Sequence, residues 1–127
     1  MAKIYDCTAL TWANQAASES AAQAVTEDTA DVLSKGLLLG CRCTITDNDG
    51  DTGDTVTVRV YKDSTLTVAG GGEELYSVDF SFSSDAETLS DLLASPVPFF
   101  EQPYVTIEPA SQADSDVRIT LYCSDGR

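Results

Sequence analysis

Apolar residues fall on every second position in four stretches of the chain: Leu37, Leu39, Cys41, Cys43 and Ile45; Val56, Val58 and Val60; Tyr76, Val78, Phe80 and Phe82; and Val117, Ile119, Leu121 and Cys123. A period of two puts each series on one face of a strand and the intervening polar residues on the other. The pattern predicts strands with one buried and one wet face, the arrangement of an antiparallel β-sandwich. The intervening residues agree. DNDGDTGD at 47–54 supplies the Asp, Asn and Gly that turns select, so residues 37–46 and 55–62 read as a hairpin. Asp63 and Ser64 turn the chain into a short strand at 66–68, which Gly70, Gly71 and Gly72 break before a strand at 75–83. Strands at 104–108 and 117–123, joined by the polar ASQADSD, complete the set.

Two segments depart from the alternation. Ser84, Asp85, Ala86, Glu87 has the spacing of a capping box, and Leu89, Leu92 and Leu93 then share a helical face, which predicts a short helix near residues 85–94. Pro96 and Pro98 end it and bias PVPFF to extended geometry. Residues 13–35, rich in Ala, Ser and Thr, admit two readings: a helix stopped at Gly36, or an extended N-terminal arm with an edge strand. Seven or eight strands with turn signals at short intervals fit a sandwich or jelly roll better than a parallel α/β fold. The expectation is one all-β domain, a single antiparallel jelly-roll-like sandwich over 36–127 with residues 1–35 as arm and edge segment.

At 127 residues the chain is long enough for one core. Twenty-one Asp and Glu against seven Lys and Arg give a net charge of −14, which repels nucleic-acid phosphates and anionic membranes. MAKIYDCTALTW holds no apolar run of secretory length, and no stretch approaches membrane-spanning length, so the protein is expected to fold in the cytoplasm with its four cysteines reduced.

Candidate chemistry is sparse. Asp47, Asp49, Asp51 and Asp54 alternate along a tight loop and are candidate calcium ligands, calcium being the one cofactor the sequence suggests. The match to an EF-hand-type loop is imperfect, because Thr52 and Val58 stand at its sixth and twelfth positions. The competing reading is a solvated hairpin tip. Cys41 and Cys43 lie on one apolar strand face and Cys123 on another; with Cys7 they read first as core thiols, next as a disulfide involving Cys123, last as a zinc site. The absence of histidine removes Ser/His/Asp and Cys/His sites and the commonest general base. Glu73 and Glu74 are adjacent acids that a strand would point to opposite faces, and the Gly70–72 run lacks the Lys of a phosphate loop. No catalytic role is expected. The cluster Pro96, Val97, Pro98, Phe99, Phe100, Pro103 and Tyr104 reads as a core plug or as an exposed apolar assembly patch.

The order of segments SESAAQAV, VLSKGLLLGCRCTIT, VTVRVYKDSTL, EELYSVDFSFS, PVPFFEQPYVTI and DVRITLYCSD resembles small virion proteins of tailed bacteriophages, jelly-roll or related sandwich domains that decorate capsids. The resemblance covers most of the chain after residue 18 and consists of strands and turn residues, without a catalytic signature. It implies a non-catalytic decoration or cement protein, often trimeric, seated on the major capsid protein of the virion. On that reading Trp12 in the arm and Phe99, Phe100 and Tyr104 near the sheet corner are the expected partner contacts, and removing residues 1–18 should weaken particle binding while sparing the fold. The acidic loop at 47–54 and the Cys41, Cys43 pair depart from the pattern. A carbohydrate- or host-surface-binding sandwich and a tail or neck component are the alternatives.

Overall fold

The structure, a computed structural model, describes residues 4–26, 35–47, 55–62, 73–84, 86–110 and 115–124. Among the described residues nine strands run in chain order: β1 (Ile4–Asp6), β2 (Leu10–Gln15), β3 (Gln23–Ala24), β4 (Gly36–Asp47), β5 (Thr55–Tyr61), β6 (Glu74–Ser81), β7 (Ala86–Phe99), β8 (Tyr104–Pro109) and β9 (Ser115–Ser124). They form two sheets. Sheet A has the order β1-β9-β4-β7, with β2 alongside the other half of β9; sheet B has the order β3-β8-β5-β6. Every pairing is antiparallel.

The pairs β5·β6, β4·β7, β3·β8 and β2·β9 nest one inside the next. One long hairpin rolled so that its rungs alternate between two sheets gives this order, which is the jelly roll. The inner faces enclose one core. Cys41, Cys43 and Ile45 of β4, Val56, Val58 and Val60 of β5, Phe80 of β6, Val105 and Ile107 of β8, and Val117, Ile119, Leu121 and Cys123 of β9 are all buried in it. The period-two reading therefore holds across these strands.

At the start of β4 the phase slips. Leu38 and Gly40 face the consecutive residues Cys123 and Tyr122 of β9, so Leu39 is an extra residue, a β-bulge. Leu38 rather than Leu37 or Leu39 is the fully buried leucine. The alternation predicted for Leu37 and Leu39 is thus displaced by one position.

The helix expected near residues 85–94 is replaced by β7, and no helix occurs among the described residues. β4 offers a long pairing edge, with partners running from Thr46↔Ala86 to Gly40↔Leu92 and, past a register shift, from Leu38↔Val97 to Gly36↔Phe99. Exposure over residues 86–94 of β7 alternates with period two: Glu87, Leu89, Asp91 and Leu93 turn inward, and Leu92 is 72% exposed. A helix would have grouped Leu92 with Leu89 and Leu93. The polar residues that mimic a capping box serve the turn from β6 instead, where the Ser83 amide donates to Glu87 Oε1 at 2.8 Å and Ser84 Oγ donates to the Ala86 carbonyl at 3.1 Å. Pro96 and Pro98 sit within β7, an outer strand of sheet A, where a missing N–H is tolerated.

The extended alternative holds for residues 13–26. β2 joins sheet A and β3 joins sheet B, while Cys7, Leu10, Trp12 and Val25 enter the core. Removing residues 1–18 would therefore strip β9 of two partners and take three core residues with it, contrary to the expected tolerance. The short strand at 66–68 and the Gly70–72 break lie outside the described residues, as do Asp49, Asp51 and Asp54 of the candidate calcium loop. Asp47 ends the backbone of β4 opposite Ser115.

Candidate functional site

The residues expected to meet a partner separate into two groups. Trp12 points inward from β2, opposite Val117, and its indole N–H donates to the Ala21 carbonyl at 3.0 Å. That bond ties β2 to the chain leading into β3, so the ring anchors the N-terminal segment to the sandwich. Phe99, the last residue of β7, is likewise in the core. Tyr104 is half-buried at the start of β8, paired with Ala24 and Tyr61. Phe100 alone projects, at 81% exposure. Consecutive phenylalanines at a strand end point in opposite directions, so one fills the core and the next enters solvent.

Phe100 borders a depression of about 310 Å³ formed with Pro98, Phe99, Leu75, Lys62, Glu73 and Glu101. Its lining mixes apolar and charged side chains; Lys62 Nζ pairs with Glu73 at 3.0 Å. The Lys62 amide also donates to the Glu73 carbonyl at 3.1 Å, which fixes that pair. Such a corner can receive an apolar side chain of another protein or the face of a sugar ring. A second depression, of about 320 Å³, lies on sheet A between Thr11, Ala13, Thr44, Thr46 and Arg118.

The outer face of sheet B carries an ion cluster that sequence reasoning missed. Arg59 of β5 reaches Glu108 of β8 at 2.7 Å, Glu74 of β6 at 3.3 Å and Glu19 at 3.5 Å. Glu19 Oε2 also accepts from Tyr61 Oη at 2.6 Å and from Thr106 Oγ1 at 2.8 Å. Burial works to lower the Arg59 pKa, but the Glu108 hydrogen bond and the Glu108 and Glu19 charges outweigh it and raise it. Burial, then the bond to Glu19, pushes the Tyr61 phenol up to about 12. The cluster clamps the segment before β3 onto three strands of the sheet. Its one sequence signal is a lone arginine at an outward position between Val58 and Val60.

Two constellations lie inside. Tyr76 of β6 donates to Asp91 of β7, and Cys41 Sγ lies 3.8 Å from the same phenolic oxygen. Burial pushes the Cys41 thiol up to about 12, and burial followed by the bond to Asp91 raises Tyr76 further. Cys43 is raised by burial and by its neighbour Cys41. These groups stay protonated at neutral pH and pack as small, weakly polar core residues. The second constellation is the pair Cys7 and Cys123, whose sulfurs approach to 3.1 Å. The contact with Cys7, then burial, raises the Cys123 thiol. All four cysteines are free and buried, and among the described residues no three His, Cys, Asp or Glu side chains gather to hold a metal ion. In comparison with known proteins, the chain matches no family model and no curated protein.

Proposed function

We propose that this protein is a non-catalytic structural component of a tailed-bacteriophage virion that decorates or cements the capsid, binding the major capsid protein as a homo-oligomer such as a trimer. The nested jelly-roll order carries the reading, since that architecture serves viral capsid and lectin domains. Function lives in sites rather than folds, so the exposed Phe100 corner matters as well. An aromatic ring standing free beside a partly apolar depression is an expensive surface unless a partner covers it. With a net charge of −14, an apolar seat is also the way for this chain to associate against its own repulsion.

The test is co-sedimentation with source virus particles that lack their own copy, with bound copies counted by mass spectrometry. Binding at a number that matches capsid symmetry supports decoration. A few copies per particle indicate a tail or neck position, and none removes the virion reading. A second reading, a carbohydrate-binding module, has one observation in its favour: the Phe100 ring is flanked by Lys62, Glu73 and Glu101, a stacking surface with hydrogen-bonding groups beside it. A glycan array probed with and without calcium separates the two.

A further inference from the structure

We infer that Cys7 and Cys123 are a disulfide-forming pair, which exchange with a small-molecule disulfide converts into a bond fastening the N-terminal edge of sheet A to its last strand. The two sulfurs lie 3.1 Å apart although the residues are separated by 116 positions in sequence. They meet because the nested strand order sets the first and last strands side by side: Tyr5 pairs with Cys123, and the Cys7 amide donates to the Leu121 carbonyl at 2.9 Å. Cys7 is thereby held two positions along β9 from Cys123 and on the same face. The other two thiols are placed differently. Cys41 and Cys43 stand two apart on one extended strand, and Cys41 Sγ lies 3.8 Å from the Tyr76 hydroxyl.

The access route is also built in. Cys7 follows β1, a strand of three residues at the margin of sheet A that pairs with β9. A short marginal strand opens at far lower free energy than the whole fold, and its opening brings Cys7 to solvent while Cys123 stays inside. The Cys7 thiolate attacks one sulfur of the small disulfide, forming a mixed disulfide and expelling one thiolate. As β1 recloses, the Cys123 thiol attacks the Cys7 sulfur and passes its proton to the departing small-molecule thiolate, which leaves as a thiol. The protein gives up two electrons and two protons, and the small disulfide leaves as two thiols. The product closes a ring spanning nearly the whole chain, which restricts the unfolded state and prevents β1 from opening.

Trypsin makes the test direct, because Lys3, Lys35, Arg42, Arg59 and Arg118 place the four cysteines on four separate peptides, 4–35, 36–42, 43–59 and 119–127. The full-length protein is incubated with glutathione disulfide or with a reductant, alkylated, and digested without reduction. The oxidised sample should yield peptide 4–35 joined to 119–127, with Cys41 and Cys43 alkylated after unfolding. Its denaturation midpoint should rise relative to the reduced sample, and Cys7→Ala should abolish that response. Cys7 and Cys123 both still alkylatable after oxidation, a link from either to Cys41 or Cys43, or a glutathione adduct at Cys7 that never transfers to Cys123 would each overturn the assignment. The linkage map needs only the wild-type chain, so a poorly folding variant does not weaken it.

Discussion

Tyr76 and Asp91 join the two sheets through the core: the phenol on β6 of sheet B donates to the carboxylate on β7 of sheet A. Asp91 is flanked on the inner face of β7 by Leu89 and Leu93, which pack against the core. A carboxylate at that place is tolerable only with its hydrogen bond made. The pair also locates β7 against β6 at the open side of the sandwich.

Tyr76→Phe should therefore destabilise the protein by about 1–3 kcal/mol, the cost of leaving a polar group without its partner. Tyr76→Phe combined with Asp91→Leu should recover much of that loss, because an apolar pair has nothing to satisfy. Urea denaturation of both single variants and the double variant measures the coupling. Additive losses would show that the two residues act independently.

Gly40 is a second point of close approach. Its φ is +150°, and a Cβ placed there would stand 2.1 Å from the Asp91 carbonyl oxygen and 3.0 Å from the Leu92 Cα. Both are backbone, so no side chain can swing aside. Gly40→Ala should cost at least about 1–3 kcal/mol through strain at this conformation, and should disturb the pairing of β4 with β7 around the bulge. Thermal denaturation gives the first quantity, and amide exchange along 86–92 the second. Unchanged protection in a stable variant would remove glycine's special role there.

Alkaline pH should unfold the protein progressively. A thiol such as Cys41 has an ordinary value of 9.0 and is pushed up to about 12 in the fold, so between those values the unfolded chain has released a proton that the folded chain still holds. Stability falls with rising pH wherever the folded state binds more protons. Cys43, Cys123, Tyr61 and Tyr76 are shifted in the same direction, so their contributions add, fully present below pH 9 and lost as pH climbs toward 12. Cys43→Ala should flatten the slope of stability between pH 9 and 11, as read from urea midpoints. An unchanged slope would mean that this thiol is accessible to hydroxide in the fold.

Most of the sandwich was legible because alternation is a local signal: Val56, Val58 and Val60 announce a half-buried strand whatever they pair with. β7 was not legible, since ETLSDLL satisfies a helical period as well as a strand period and only the waiting edge of β4 decides between them. The bulge at Leu39 was invisible for a related reason: it exists relative to β9, which lies far away in sequence. At the candidate site, PVPFF marked the corner, but which of its two rings faces outward depends on the register of β7. Cys7 with Cys123, and Arg59 with Glu19 and Glu108, become neighbours only through strand order, which no local pattern encodes.

Adjacent Phe99 and Phe100 give the sharpest separation of stability from attachment. Phe99→Ala empties a core position and should cost about 3–5 kcal/mol in denaturation experiments. Phe100→Ala removes a ring that is 81% exposed and should leave stability within about 0.5 kcal/mol of wild type. If the corner is the seat on the particle, the second variant should nevertheless lose about 2 kcal/mol of binding, roughly thirtyfold in affinity, as a central aromatic contact does. Attachment through an apolar corner should also persist as salt is raised, because screening weakens charge pairs and leaves apolar burial intact. Gradient sedimentation of both variants at low and high salt reads all of this together. Wild-type binding by Phe100→Ala would move the seat elsewhere, whereas release of the unaltered protein by salt would mean that its acidic surface makes the attachment.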